Sequence, residues 1–195
     1  MTAPFVLTDE EGRLLARVAH DAVCARVRRG QVPVVADPPA AFDARLGAFV
    51  TVESPAGNLR GCFGNVEPSG RLIDEIPLLA TEAATTDRRF EPVRVGDLER
   101  LHVKVSVLSP MERLDAASPD DLLRRLRPRQ DGVLLELPGA RARSVYLPEV
   151  WEKLDDDPVV FLGSLSEKQG AAAGAWRSEF RAARFWTFRT RAWST

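Results

Sequence analysis

Asn58-Leu59-Arg60-Gly61-Cys62-Phe63-Gly64 is the run on which the fold turns. It sets a thiol between two glycines, directly after an arginine and an apolar residue. Read as a strand, Leu59 to Phe63 alternates its side chains between two faces. Leu59 and Phe63 then point into a core, and Arg60 and Cys62 point the other way, side by side. A guanidinium beside a thiol favours the thiolate, which is the reactive form. Gly61 marks a bulge, or the close approach of another backbone or a ligand. Gly64 supplies the positive φ that ends the strand. The same residues also read more simply, with Cys62 a small buried apolar residue beside two turn glycines.

Working outward, Gly47 to Glu53 has strand character through Phe49, Val50, Thr51 and Val52. Ser54-Pro55-Ala56-Gly57-Asn58 is a turn, so the two strands form an antiparallel hairpin. Leu101 to Leu108 joins the same sheet. Its Leu101, Val103, Val105 and Val107 alternate with His102, Lys104 and Ser106. The valines face the core. His102 and Lys104 face away from it, into solvent or into a pocket shared with Cys62.

Helices fill the intervals. Thr8 and Glu11 form a capping-box pattern, followed by Leu14, Leu15, Val18, Ala19, Ala22, Val23 and Val27 at helical spacing. Gly30 suits the stop. His20 and Cys24 lie in this helix without a second ligand at metal spacing. Gln31 to Asp43, with Pro33, Pro38 and Pro39, is an irregular connection. Leu72 to about Thr86 is helical, and Pro77 predicts a kink or restart within it. Thr86 to Pro92 is a charged loop. Ser118-Pro119 starts a short helix to Arg127. Val133–Leu137 and Arg141–Leu147 make a second hairpin around Pro138-Gly139. Asp155-Asp156-Asp157-Pro158 reads as a helix start rather than a cation loop, leading a helix to about Lys168. Phe185 to Arg191 is a final aromatic strand, followed by Trp193.

With 195 residues the chain suits a single domain, 1–195, with a smaller lobe formed by about 110–150. The formal net charge of -1 argues against a generally basic nucleic-acid binder. Cys24 and Cys62 are too few for a disulfide framework. Met1 to Asp9 has no basic region followed by a long apolar run, and no stretch reaches the ~18 apolar residues of a membrane span. These features predict a cytoplasmic protein with no membrane association, and they point to no cofactor and no metal.

Gly47-Ala48-Phe49-Val50-Thr51, Leu59-Arg60-Gly61-Cys62-Phe63-Gly64 and Glu67-Pro68 resemble the signature of the AMMECR domain family, which carries a Leu-Arg-Gly-Cys-Ile-Gly run. The likeness continues at Asp87, Arg89 and Phe90, at Val105 to Leu108, at Leu147-Pro148, at Phe161-Leu162 with Lys168 and Gly170, and at Trp176. There are departures. Phe63 replaces the usual Ile, and Thr86 and Arg88 stand where the family has Arg and Pro. His102 and Lys104 occupy positions where acidic residues are common, and Ser166 stands where many members have Cys. The resemblance implies an α+β fold, a mainly antiparallel β-sheet flanked by helices with a smaller second lobe. Bacterial members resemble protein A of the AmmeMemoRadiSam systems. That implies a Memo-like protein and a radical SAM protein as partners.

Three functional classes follow. The first is a thiol-dependent enzyme or substrate-handling protein for an unknown small molecule. Cys62 and Arg60 are then the candidate catalytic pair, and Gly61, Gly64, Glu67, Asp87 and Arg89 are candidate ligand-binding residues. Neither His is placed as a base by a motif. The second is a non-catalytic adaptor whose hairpin is a docking surface or ligand pocket. The third, the weakest, is a nucleic-acid binder using Arg177, Arg181, Arg184, Arg189 and Arg191 with Trp186 and Phe188.

Overall fold

Thr8 starts the first helix as its spacing to Glu11 predicts. Its side chain accepts from the Glu11 N–H while the Glu11 carboxylate takes the Thr8 N–H. Helix α1 (Asp9–Val27) then buries Leu15, Ala19, Ala22 and Val23. It ends on a hydrogen-bonded turn from Gly30 N–H to the Ala25 carbonyl and from Arg29 N–H to Arg26. The left-handed residue of that turn is Arg29, at φ 58°, and not the glycine the sequence offers beside it. The computed structural model describes residues 7–32 and 35–195. Most of the amino-terminal stretch read for a leader, and Pro33 of the irregular connection, lie outside the described residues.

Contacts divide the chain into two compact units, Met1–Ser109 with Arg191–Thr195, and Pro110–Thr190. The second takes in 110–150 and continues to Thr190. In the first unit, a 3₁₀ turn (Ala40–Asp43) leads to strands β1 (Ala48–Glu53) and β2 (Leu59–Asn65). Helix α2 (Leu72–Thr85), a second 3₁₀ turn (Val95–Arg100) and strand β3 (His102–Leu108) follow. With β8 (Thr190–Ser194) these make a sheet of order β2-β1-β3-β8, in which β1 runs antiparallel to β2 and β3. Val50, Val52, Val103, Val105 and Val107 pack in one core with Leu15 and Ala19 of α1 and Ile76, Ala80 and Ala83 of α2. Each Val, Leu or Ile among them contributes about 1.5–3 kcal/mol on burial. Trp193 of β8 closes this core over Gly12, where a methyl group would overlap its ring. Its indole N–H donates to Asp9 at 2.9 Å, and Arg191 reaches the same carboxylate at 2.7 Å.

The second unit has the sheet β4 (Glu112–Arg113), β7 (Arg184–Phe188), β5 (Gly132–Glu136), β6 (Ser144–Tyr146), in that order and antiparallel throughout. Helices α3 (Pro119–Arg125), α4 (Pro158–Lys168) and the short α5 (Ala175–Ser178) accompany it. Ser118 caps α3, and Asp157 caps α4 by accepting from Val159 and Val160. Trp151 stacks on Phe161 at 3.8 Å in the core and donates its indole N–H to the Asp131 carbonyl. The fold is thus α+β, with antiparallel sheets and flanking helices. Among the described residues no helix is long and apolar enough to cross a membrane.

Several expectations are corrected. Pro77 does not restart α2, which is assigned as one helix from Leu72 to Thr85. The proline deletes one hydrogen bond, and a face of Leu72, Ile76, Leu79, Ala80, Ala83 and Ala84 stays buried through it. The final aromatic strand is two strands in two sheets, β7 and β8. Helix α3 stops at Arg125, two residues short of Arg127.

Leu59 and Phe63 are 38% and 40% exposed, not core residues. Phe63 lies opposite buried Val50, but β2 has no outer neighbour to cover it. Leu59 lies opposite Glu53, across a register shift between Val52 and Glu53. Gly61 is the buried residue of β2 because a methyl group there would overlap the Ala83 carbonyl of α2. Gly61→Ala should therefore destabilise the fold by about 1–3 kcal/mol. A lower urea midpoint at unchanged slope checks this; an unchanged midpoint would show that α2 can yield.

Candidate functional site

Cys62 owes its position to strand register. Thr51 lies opposite Cys62 on one side of β1 and opposite Lys104 on the other, so the three form one row across β2, β1 and β3. Because Val50 and Val52 face the helices, this row occupies the other face of the sheet. The Thr51 hydroxyl donates to the Cys62 sulfur at 3.5 Å. Lys104 Nζ lies 3.6 Å from Glu53, its neighbour in the next row. Cys62 is half-buried and forms no disulfide among the described residues.

The segment after α2 closes on this row from the side. Val93 N–H donates to the Ala84 carbonyl, and Phe90 N–H to Asp87. Between them the Asp87 side chain, 8% exposed, accepts four hydrogen bonds. They come from Cys62 N–H at 3.0 Å, Arg89 N–H at 3.2 Å, Arg89 Nε at 2.9 Å and Arg89 Nη2 at 2.7 Å. The Arg89 side-chain hydrogen bonds hold the Asp87 carboxyl far below the usual carboxylate range. Burial opposes them, and the two backbone N–H groups add to the lowering. Arg89 is raised in turn, first by its bond to Asp87 and further by the charges of Asp87 and Cys62. Arg89 is thus the cation that the structure holds beside Cys62, through Asp87.

Arg60 was expected to be that cation. It sits in the register shift of β2, where Val52 pairs with Gly61 and Glu53 with Leu59. Its guanidinium stands 3.6 Å from the Asp97 carboxylate. The structure therefore brings together Cys62, Asp87 and Arg89 and pairs Arg60 with Asp97. Gly61 and Gly64 serve packing. Gly61 admits the Ala83 carbonyl, and Gly64 makes room for the Phe49 ring. Gly64 lies inside β2 and is not among the positive-φ glycines. Glu67 lies beyond β2, in the exposed bend before α2. Sequence reasoning missed the roles of Thr51 and Asp97. Counting paired positions across the hairpin would have found Thr51, had the register shift been visible.

The other sequence candidates separate. His20 and Cys24 approach each other at 3.8 Å on α1, and burial pushes the Cys24 thiol up. His102 lies 3.3 Å from the Thr195 carbonyl. Among the described residues no group of three or more His, Cys, Asp or Glu could hold a metal ion. Four of the five arginines proposed for nucleic acid face carboxylates. Arg177 meets Asp120, Arg184 meets Glu136, Arg189 meets Asp131 and Arg191 meets Asp9. Phe188 is 2% exposed, so it offers no stacking surface.

Residues 16–190 match the family model described as AMMECR1. A protein of Methanothermobacter thermautotrophicus is 39% identical over 165 residues, covering 84% of each chain. One from Methanocaldococcus jannaschii is 33% identical over 175 residues, 89% of this chain and 86% of its own. The crystal structure of an uncharacterised protein from Pyrococcus horikoshii superposes with a TM-score of 0.85 at 27% identity, over 97% of this chain and 94% of that one.

Two outcomes follow from the Asp87 geometry. Asp87→Ala should cost about 1–3 kcal/mol, because it strips the partner from a strand N–H. Its stabilisation is fully present above the unfolded aspartate value of about 4, and it is lost as the pH falls towards the far lower folded value. Asp87→Asn should flatten that acid limb. Denaturation midpoints measured from neutral pH down to about 3 decide it; parallel curves for the two proteins would remove Asp87 from the acid response.

Proposed function

This chain belongs to the AMMECR1 family, and from that premise we propose that it is a thiol-dependent enzyme or substrate-handling protein with Cys62 as its reacting group. The observation that carries this reading is the hydrogen bond from Thr51 to the Cys62 sulfur, beside an Asp87–Arg89 pair that fixes the Cys62 backbone. A donor on sulfur stabilises the thiolate over the thiol. The thiol proton leaves to water, and the resulting thiolate is the nucleophile. Arg89, whose side chain is 62% exposed, and Lys104, in the same row as Cys62, supply positive charge for an anionic substrate group. Neither His serves as the base here. His20 lies on α1 beside Cys24, and His102 beside the chain end.

A second reading has its own support. Leu59 and Phe63 expose large apolar side chains on the hairpin that carries Cys62. In an adaptor these would meet a partner, and the resemblance to protein A makes a Memo-like or radical SAM protein the partner to test.

Alkylation of Cys62 across pH, in a Cys24→Ser background, distinguishes the two. Under the thiol reading, Cys62 is alkylated faster at neutral pH than a free model thiol. Arg89→Ala should slow alkylation at neutral pH, because it removes the guanidinium held on Asp87 beside the Cys62 backbone. Arg60→Ala should leave the profile in place, since that guanidinium faces Asp97. A wild-type profile matching the model thiol and unmoved by Arg89→Ala would leave the adaptor reading in its place.

A further inference from the structure

The second unit carries a groove of about 570 Å³ between α4 and α5, within the size range of small-molecule sites. Its apolar wall is Leu154, Val159, Val160 and the edge of Trp176. Val159 and Val160 are 46% and 48% exposed, although each has only to follow the Asp157 cap to make the helix start. Their spacing with Gly163, Ser164 and Glu167 puts one face of α4 along the groove. The Ser164 hydroxyl lies on that face, hydrogen-bonded to Tyr146 at 2.9 Å.

Two groups of opposite charge also line it. The Glu167 carboxylate has no hydrogen bond or ion pair among the described residues. Arg177 lies over the Trp176 ring at 5.0 Å and meets Asp120, whose side chain is 72% exposed. An exposed pair of that kind contributes little, so another carboxylate can take its place. The groove is also kept open where the fold does not require it. Gly174 has an ordinary φ of -81°, and nothing lies within 4 Å of where its side chain would start.

We propose that this groove binds a small amphipathic zwitterion, an α-amino acid with an apolar side chain. The side chain rests on Val159, Val160 and Leu154, the ammonium meets Glu167 and the carboxylate meets Arg177. This site is separate in sequence and in unit from Cys62, and its test does not depend on the thiol reading.

The test is an amide NMR titration of the full chain with L-leucine, set against isocaproate, which lacks the ammonium, and isoamylamine, which lacks the carboxylate. Leucine should give saturable shifts at α4 and α5. Each analogue should bind at least about tenfold more weakly, the loss of one charge-assisted contact. Glu167→Gln should abolish the preference for leucine over isocaproate. Gly174→Leu should fill the groove and remove binding; if that variant fails to fold, the Glu167→Gln arm decides alone. Absence of saturable shifts at α4 and α5, or equal binding of leucine and isocaproate, overturns the proposal. So does movement of the same amides on simple dilution, which would mean that a second copy of the chain covers the groove.

Discussion

The contact between the Ala83 carbonyl and the bare backbone of Gly61 sets the geometry around Cys62. A helix normally stands off a strand by the thickness of the side chains between them. Here α2 drops onto β2 at its last turn, because the strand has no side chain at that point. The chain leaving α2 therefore emerges beside Cys62, close enough for Asp87 to reach the Cys62 N–H. The loop is then tied back by Val93 to Ala84. The glycine of the motif thus acts at a distance of one helix turn, by deciding where an aspartate arrives.

The result is a rigid frame around a lightly held sulfur. Asp87 has four donors on a nearly buried carboxylate, the kind of charge-assisted network whose removal is felt in stability. Among the described residues the Cys62 sulfur has only the Thr51 hydroxyl, at 3.5 Å. Backbone and side chain are therefore treated differently. The strand at position 62 is fixed, while the thiol keeps most of its bonding capacity uncommitted. Cys24 shows the contrast, since it sits on a helix against the core with its thiol pushed up by burial.

What the sequence made legible follows the range of the interactions involved. The Thr8–Glu11 box, the Ser118 and Asp157 caps and the Val103–Val107 alternation all came through, because each signal lies within a few residues of its effect. Alternation failed at Leu59 and Phe63. It assumes an unbroken register and cover on both sides, and β2 has a register shift and no outer neighbour. The carboxylate partner of Arg60 was equally hidden, since Asp97 is 37 positions away in the chain. Phe185 to Arg191 reads as one strand with Trp193 after it, yet Phe185 and Trp193 serve different cores. Periodicity carries no information on which sheet a strand joins. The preference of Arg29 over Gly30 for the left-handed turn was equally invisible, because the helix ends one residue earlier than the glycine suggests.

The Asp87 carboxylate has one more effect, on association between molecules. Strand β2 is outermost in its sheet, and its Cys62 N–H points away from β1. An unpaired N–H of that kind, flanked by exposed Leu59 and Phe63, is a template for strand addition by another chain and a route to aggregation. Asp87 occupies that donor, and its carboxylate is held in turn by the arginine pair. The residue that orients the thiol strand therefore also guards its open edge, so a protein that loses Asp87 is exposed to self-association as well as to a misplaced Cys62.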